Sequence, residues 1–182
     1  MRAQLLPTIS ITVVSGVLNV YLFIYVYQKR KLYKSVSTYF LAYVCSVALY
    51  CFGTAFSMLA TDLQELKWWT VVIYLGLPFT SPLGLLFIMR YLGIEIKKTF
   101  IAGLLVIPII TVVLVATNDF HHLYYRVFTI DPDLGAPFLY QEIGVWYLVQ
   151  GLSPFLVCLY RLFCCLLSIK RYQNNIVHRF LR

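Results

Sequence analysis

Five long apolar stretches, none holding an Asp or Glu, constrain this chain more than any other feature. They run over about residues 5–28, 38–61, 69–92, 99–117 and 145–169. A helix needs about 20 apolar residues to cross a hydrocarbon core of about 30 Å, and each stretch meets or approaches that length. In lipid every backbone polar group must be bonded within the segment, so the stretches are expected to be helical. A chain of 182 residues leaves no room for a folded soluble domain beside five spans. Hydrophobic residues make up 61% and charged residues 12%, which excludes both an ordinary soluble domain and a disordered one. The first stretch is too long for a signal-peptide core and no small-residue cleavage site follows it, so it reads as an uncleaved helix. The expected fold is all-α and integral to the membrane: a single domain, residues 1–182, built as a five-helix bundle.

The charges are clustered between the spans. Lys29, Arg30, Lys31 and Lys34 fill the first connection, Arg90, Lys97 and Lys98 flank the third, and Lys170, Arg171, Arg179 and Arg182 lie in the tail. The alternate connections hold Arg2, Lys67 and Arg126, and Arg161 falls within a span. Basic loops stay cytoplasmic, which places the N-terminus outside. The acids agree: Asp62, Glu65, Asp119, Asp131, Asp133 and Glu142 fall on the other face from the basic loops, and Glu95 alone on theirs. The net charge of +8 is therefore a topology signal with attraction to anionic lipid, and a nucleic-acid partner is not expected. Trp68 and Trp69 open the third span, and Trp146 and Tyr147 the fifth, as interfacial anchors.

No carboxylate or histidine lies within a span, so ion and proton pathways lack their usual groups. Ser81 and Ser153 have no base at a usable spacing, and the adjacent His121 and His122 do not make a metal site. No catalysis and no cofactor are expected. All five cysteines, Cys45, Cys51, Cys158, Cys164 and Cys165, lie in apolar stretches and read as packing residues. Gly53 and Ser57 form a small-xxx-small pair for helix contact. Pro78 and Pro82, four residues apart with Gly76 and Gly84 nearby, are expected to bend the third span and free carbonyls within it. Together with span tyrosines, which need hydroxyl partners, this suggests a ligand pocket at the outer half of the bundle. Its expected walls are Tyr50 and Thr54 from the second span, Tyr74 and Pro78 from the third and Thr111 from the fourth, with Asn118 and His121 at the rim. The competing reading is a packed bundle whose tyrosines bond one another. The lack of carboxylates and histidines in the spans points to a small neutral or amphipathic ligand.

Residues 118–144 form the long connection. Strand formers at 124–130, the turn residues Asp131-Pro132-Asp133-Leu134-Gly135 and a second run at 136–141 predict an extracytoplasmic β-hairpin over about residues 124–141.

These pieces resemble a known family. A short acidic connection before Lys67-Trp68-Trp69, a third span with Tyr74-Leu75-Gly76 and Pro82 leading to Phe87 and Arg90-Tyr91, and a fourth span with Pro108 ending in Ala116-Thr117-Asn118 with His121 resemble the seven-helix N-terminal membrane module of bacterial sensor histidine kinases and diguanylate cyclases. The resemblance runs from the first span through the fifth, and this chain has five spans where such modules have seven. It implies a sensory input module in the bacterial cytoplasmic membrane that detects an extracytoplasmic or membrane-dissolved ligand and passes a helix movement to a cytoplasmic output. The expected partners are the lipid bilayer, the small ligand, a cytoplasmic output domain or partner protein, and a second copy of the chain. The alternative is a small integral-membrane subunit or scaffold without a ligand of its own.

Overall fold

The computed structural model describes the backbone of residues 2–30 and 34–180, and the side chains of residues 5–30, 36–160, 162 and 163. The chain is mostly helical: α1 (Arg2–Lys29), α2 (Lys34–Ser57), α3 (Leu63–Tyr91), α4 (Lys98–Ala116), a short α5 (Asn118–His121), strands β1 (Tyr125–Ile130) and β2 (Leu139–Ile143), and α6 (Val145–Phe180). Among the described residues α1 to α4 are long and apolar enough to cross a membrane. The apolar stretch described in α6, Val145–Tyr160, is shorter than that. Lys31 lies outside the described residues, as do the side chains of Lys34, Arg161, Cys164, Cys165 and the basic tail.

α3 is the central helix and packs against α2, α4 and α6, while α1 lies on α2. The α2–α3 contact depends on small residues. On α2 the buried residues Val44, Ala48, Cys51 and Ala55 recur every three or four positions, on one face of the helix. Gly53 of the expected small-residue pair faces α3, where an added Cβ would stand 3.0 Å from the Ile73 backbone nitrogen. Gly76 of α3 answers it, since a Cβ there would run into the Ser46 carbonyl and lie 2.7 Å from the Tyr50 nitrogen. Without a hydrophobic drive between helices in lipid, such close backbone approach supplies the packing that holds them together. Most large apolar side chains of α1 point outward, as a lipid-facing helix requires.

Two apolar clusters sit at opposite ends of α3. One gathers Leu85, Leu86, Met89, Ile96 and Val157, at the α3–α4 turn. The other gathers Tyr74, Val115, Tyr124 and Tyr125 under the hairpin.

Several boundaries differ from the expected ones for definable reasons. α3 starts at Leu63, six residues before the Trp68-Trp69 pair ends, because Asp62 caps it. The Asp62 carboxylate accepts from the Glu65 amide at 2.8 Å, and the Glu65 carboxylate accepts from the Thr61 amide at 2.9 Å. α3 then runs on through Pro78 and Pro82, both of which are buried. α5 was not expected; it ends on His122, whose left-handed φ of 51° makes the C-cap.

The two-stranded antiparallel sheet forms, with Ile130 opposite Leu139 and Tyr125 opposite Ile143. Its turn is closed by the Gly135 amide donating to the Asp131 carbonyl at 2.9 Å. The second strand begins three residues later than the expected 136–141, since Pro137 has no amide to give to a ladder. Between Tyr125 and Val127 the register slips, leaving Arg126 as the extra residue of a bulge.

The glycine contacts give a direct expectation. Gly76→Ala should destabilise the bundle by about 1–3 kcal/mol, because helix backbones must move apart. Gly103→Ala, where a Cβ meets nothing within 4 Å, should leave stability unchanged or slightly raised. Thermal unfolding in detergent checks both.

Candidate functional site

The hairpin end of the bundle is built around one amide side chain. At the start of β1, where Tyr125 stands opposite Ile143, the Tyr124 amide and the Tyr125 amide and carbonyl bond to a side chain rather than to β2. Asn118, 7% exposed, supplies it. Its Oδ1 accepts from the Tyr124 amide at 3.1 Å and the Tyr125 amide at 2.9 Å, and its Nδ2 donates to the Tyr125 carbonyl at 2.9 Å. Three of the four hydrogen bonds an amide can make are thus spent on the strand. Asn118 anchors the hairpin.

That anchor sets two tyrosine rings into the bundle. The Tyr125 and Tyr74 hydroxyls lie 2.8 Å apart and share a hydrogen bond, tying β1 to α3. Tyr124, fully buried, packs edge-on against Tyr74 with ring centroids 5.0 Å apart and donates to the Gln150 side chain of α6 at 3.2 Å. Burial pushes the Tyr124 and Tyr125 hydroxyls well above the usual phenol range, so both stay neutral and able to donate.

α6 is fixed at the same place. The Gly144 amide donates to the Tyr124 carbonyl at 2.7 Å and the Trp146 amide to the Leu123 carbonyl at 3.2 Å. A side chain at Gly144 would run into both carbonyls, so only glycine lets the strand turn directly into the helix. The Trp146 indole donates to the Thr111 hydroxyl of α4 at 3.0 Å, and Thr111 in turn donates to the Ile107 carbonyl at 2.8 Å.

His121 secures α5. The Thr117 hydroxyl donates to the Val113 carbonyl at 2.7 Å, so the His121 Nε2 contact with that hydroxyl at 3.0 Å makes Nε2 the donor. His121 Nδ1 then accepts from the Leu123 amide at 3.0 Å, which fits the neutral ring with its proton on Nε2. Across the end of the bundle, Lys67 of α3 forms an ion pair with Asp119 of α5 at 2.7 Å.

Beside this junction lies a cleft of about 120 Å³ between α3, α4, α5 and β1. Lys67, Asp119 and Gln64 give it a polar wall, and Val71, Val115 and Phe128 an apolar one. Of the seven residues expected to form a pocket, Asn118 lines this cleft. Tyr74, Thr111 and His121 belong to the surrounding bonding network. Tyr50 packs against Gly76 at the α2–α3 contact, Thr54 donates to the Tyr50 carbonyl at 2.8 Å, and Pro78 is buried within α3. Lys67, Asp119, Tyr124, Tyr125, Gly144 and Gln150 were not expected at a site. Gln150, a lone amide inside an apolar stretch, was the available sequence signal, since a polar group in lipid needs a partner. Among the described residues no cluster of His, Cys, Asp and Glu is placed to hold a metal.

Asn118→Ala should therefore leave two buried amides and a carbonyl without partners. A loss of about 3 kcal/mol is expected, read by thermal unfolding in detergent, with the hairpin loosened first.

No curated protein and no solved structure matches the chain. A family model described as the N-terminal 7TM region of histidine kinase matches residues 11–179, from within α1 to near the end of α6. In that family the region is the non-catalytic sensory input, and the four long apolar helices agree with a multi-pass place in the cell membrane. The chain belongs to the family of N-terminal seven-transmembrane regions of histidine kinases.

Proposed function

We propose that this input module detects an extracytoplasmic or membrane-dissolved small ligand at its hairpin end and passes a helix movement to a cytoplasmic output domain. The observation that carries the reading is the junction itself. A single network of side chains joins the hairpin to α3, α4 and α6. A change at the hairpin is thereby felt at the start of α6, the last helix. A ligand that binds one arrangement of this junction better than another shifts the balance between them, by as much as its affinities differ.

In this reading the chain crosses the membrane five times with its N-terminus outside, α6 being the fifth span. The hairpin is then extracytoplasmic, and the basic α3–α4 turn faces the cytoplasm. Asn118 stands at the ligand cleft, Tyr74, Thr111 and His121 hold its frame, and Tyr50, Thr54 and Pro78 belong to the helices behind it. The module works as a pair of copies joined to the output. The small size of the cleft favours a second reading, a subunit or scaffold with no ligand of its own, because drug-sized sites run to about 300 Å³ and more.

Two measurements test this. Cysteines replacing Glu95 and Asp133, in a background free of other thiols, should differ in labelling by an impermeant reagent on intact cells: Asp133→Cys reacts and Glu95→Cys does not. The reverse pattern rejects the orientation. With the chain joined to a histidine-kinase output domain, Tyr74→Phe and His121→Ala should each change autophosphorylation several-fold at unchanged membrane amounts. Unchanged output from both would favour the scaffold.

A further inference from the structure

The two halves of the Lys67–Asp119 ion pair are unlike. The Lys67 side chain is 30% exposed and lines the cleft together with Gln64, Val71 and Phe128. The Asp119 side chain also lines it but is 64% exposed. Its carboxylate can return to water at little cost, since exposed ion pairs contribute about 0–1 kcal/mol. Lys67, with the more covered side chain of the two, has more burial to lose by moving away. Any anion entering the cleft therefore meets a fixed cation whose present partner is easily displaced.

The rest of the cleft sets the remainder of the ligand. Val71, Val115 and Phe128 offer an apolar surface below Lys67, and Thr70 already spends its hydroxyl on the Leu66 carbonyl at 2.7 Å. The lining thus has a charged mouth and an apolar floor. A cavity of about 150 Å³ accepts a benzene-sized molecule, so about 120 Å³ suits an apolar tail of about five carbons with its head at the mouth.

We propose that the cleft binds an anionic amphiphile, a single negative head with a short apolar tail, which takes Lys67 from Asp119 and releases α5 from α3. This deepens the sensory reading above and rests on it. Lys67–Asp119 is a latch: closed, it holds α5, and with it Asn118 and the hairpin, against the first turns of α3. Occupied, the cleft keeps Lys67 and frees the turn that carries Asn118. The anionic head can come from a free carboxylate or from a lipid headgroup whose chain lies in the bilayer. Both present the same chemistry to Lys67.

The test uses the full chain in nanodiscs and hexanoate as the probe. In phosphatidylcholine discs, saturation-transfer NMR should show saturable hexanoate binding that Lys67→Met abolishes. Asp119→Asn should tighten it about two- to fivefold, because the competing carboxylate is gone. Circular dichroism and thermal unfolding confirm that both variants remain folded. In discs containing phosphatidylglycerol, unchanged hexanoate binding marks a soluble acid as the source. Suppressed binding, with phosphatidylglycerol retained by the wild-type chain and not by Lys67→Met in native mass spectrometry, marks the lipid headgroup. The proposal is overturned if neither hexanoate nor phosphatidylglycerol binding depends on Lys67, or if Asp119→Asn weakens binding as Lys67→Met does. Such a result would leave the sensory reading standing, since that is judged by kinase output and not by occupancy of the cleft.

Discussion

A strand end buried against a helix bundle has backbone groups that water cannot reach, and Asn118 is what satisfies them. Orphaned buried amides cost about 1–3 kcal/mol each, so the start of β1 can lie in the bundle only where a side chain with both donor and acceptor meets it. Asn118 meets it because α5 is a single turn ended by His122, which folds the chain back so that residues 124 and 125 pass over the amide. The placement of Tyr124 and Tyr125, and through them the contacts with Tyr74 and Gln150, follow from that arrangement. α3 and the start of α6 are therefore bonded to one short segment, and the Trp146–Thr111 bond adds α4 to the same junction.

This arrangement suits a device that transmits a small change. Apolar helix faces in lipid have no hydrophobic reason to choose one partner over another, so polar contacts and close backbone approach decide their geometry. In this bundle those contacts lie at two levels. Gly53 and Gly76 fix α2 against α3 along their length, while the tyrosine and asparagine network fixes α3, α4 and α6 at one end. The Lys67–Asp119 pair is the exposed member of this set, and the weakest by its setting. A receptor that must yield to a weak binding event is best built with one easily broken contact beside several that hold.

The helices were largely legible from composition, since a run of about 20 residues free of acids has few other fates in a chain this apolar. The start of α3 differs from the expected residue 69, although Asp62 followed three residues later by Glu65 is a capping signature that places the helix start ahead of the tryptophans. The hairpin was readable in its strand formers and turn residues, and its second strand shifted only because Pro137 cannot donate. The junction was less so. Tyr74 and Tyr125 are 51 positions apart, and nothing local pairs them. Asn118 was visible as part of a motif, but its partners are backbone groups of Tyr124 and Tyr125 that no local pattern assigns to it. Pro78 and Pro82 lie in the middle of α3, whereas the cleft lies along its first turns, at Lys67 and Val71.

The measurement that tests this account most directly is amide hydrogen exchange of the full chain in lipid nanodiscs, read residue by residue. The Tyr124 and Tyr125 amides, bonded to the buried Asn118 side chain, should exchange as slowly as amides in the middle of α3. The Asp133 and Leu134 amides of the turn, bonded only to the exposed Asp131 side chain, should exchange rapidly. Fast exchange at Tyr124 and Tyr125, matching the turn, would contradict the claim that Asn118 locks the hairpin into the bundle.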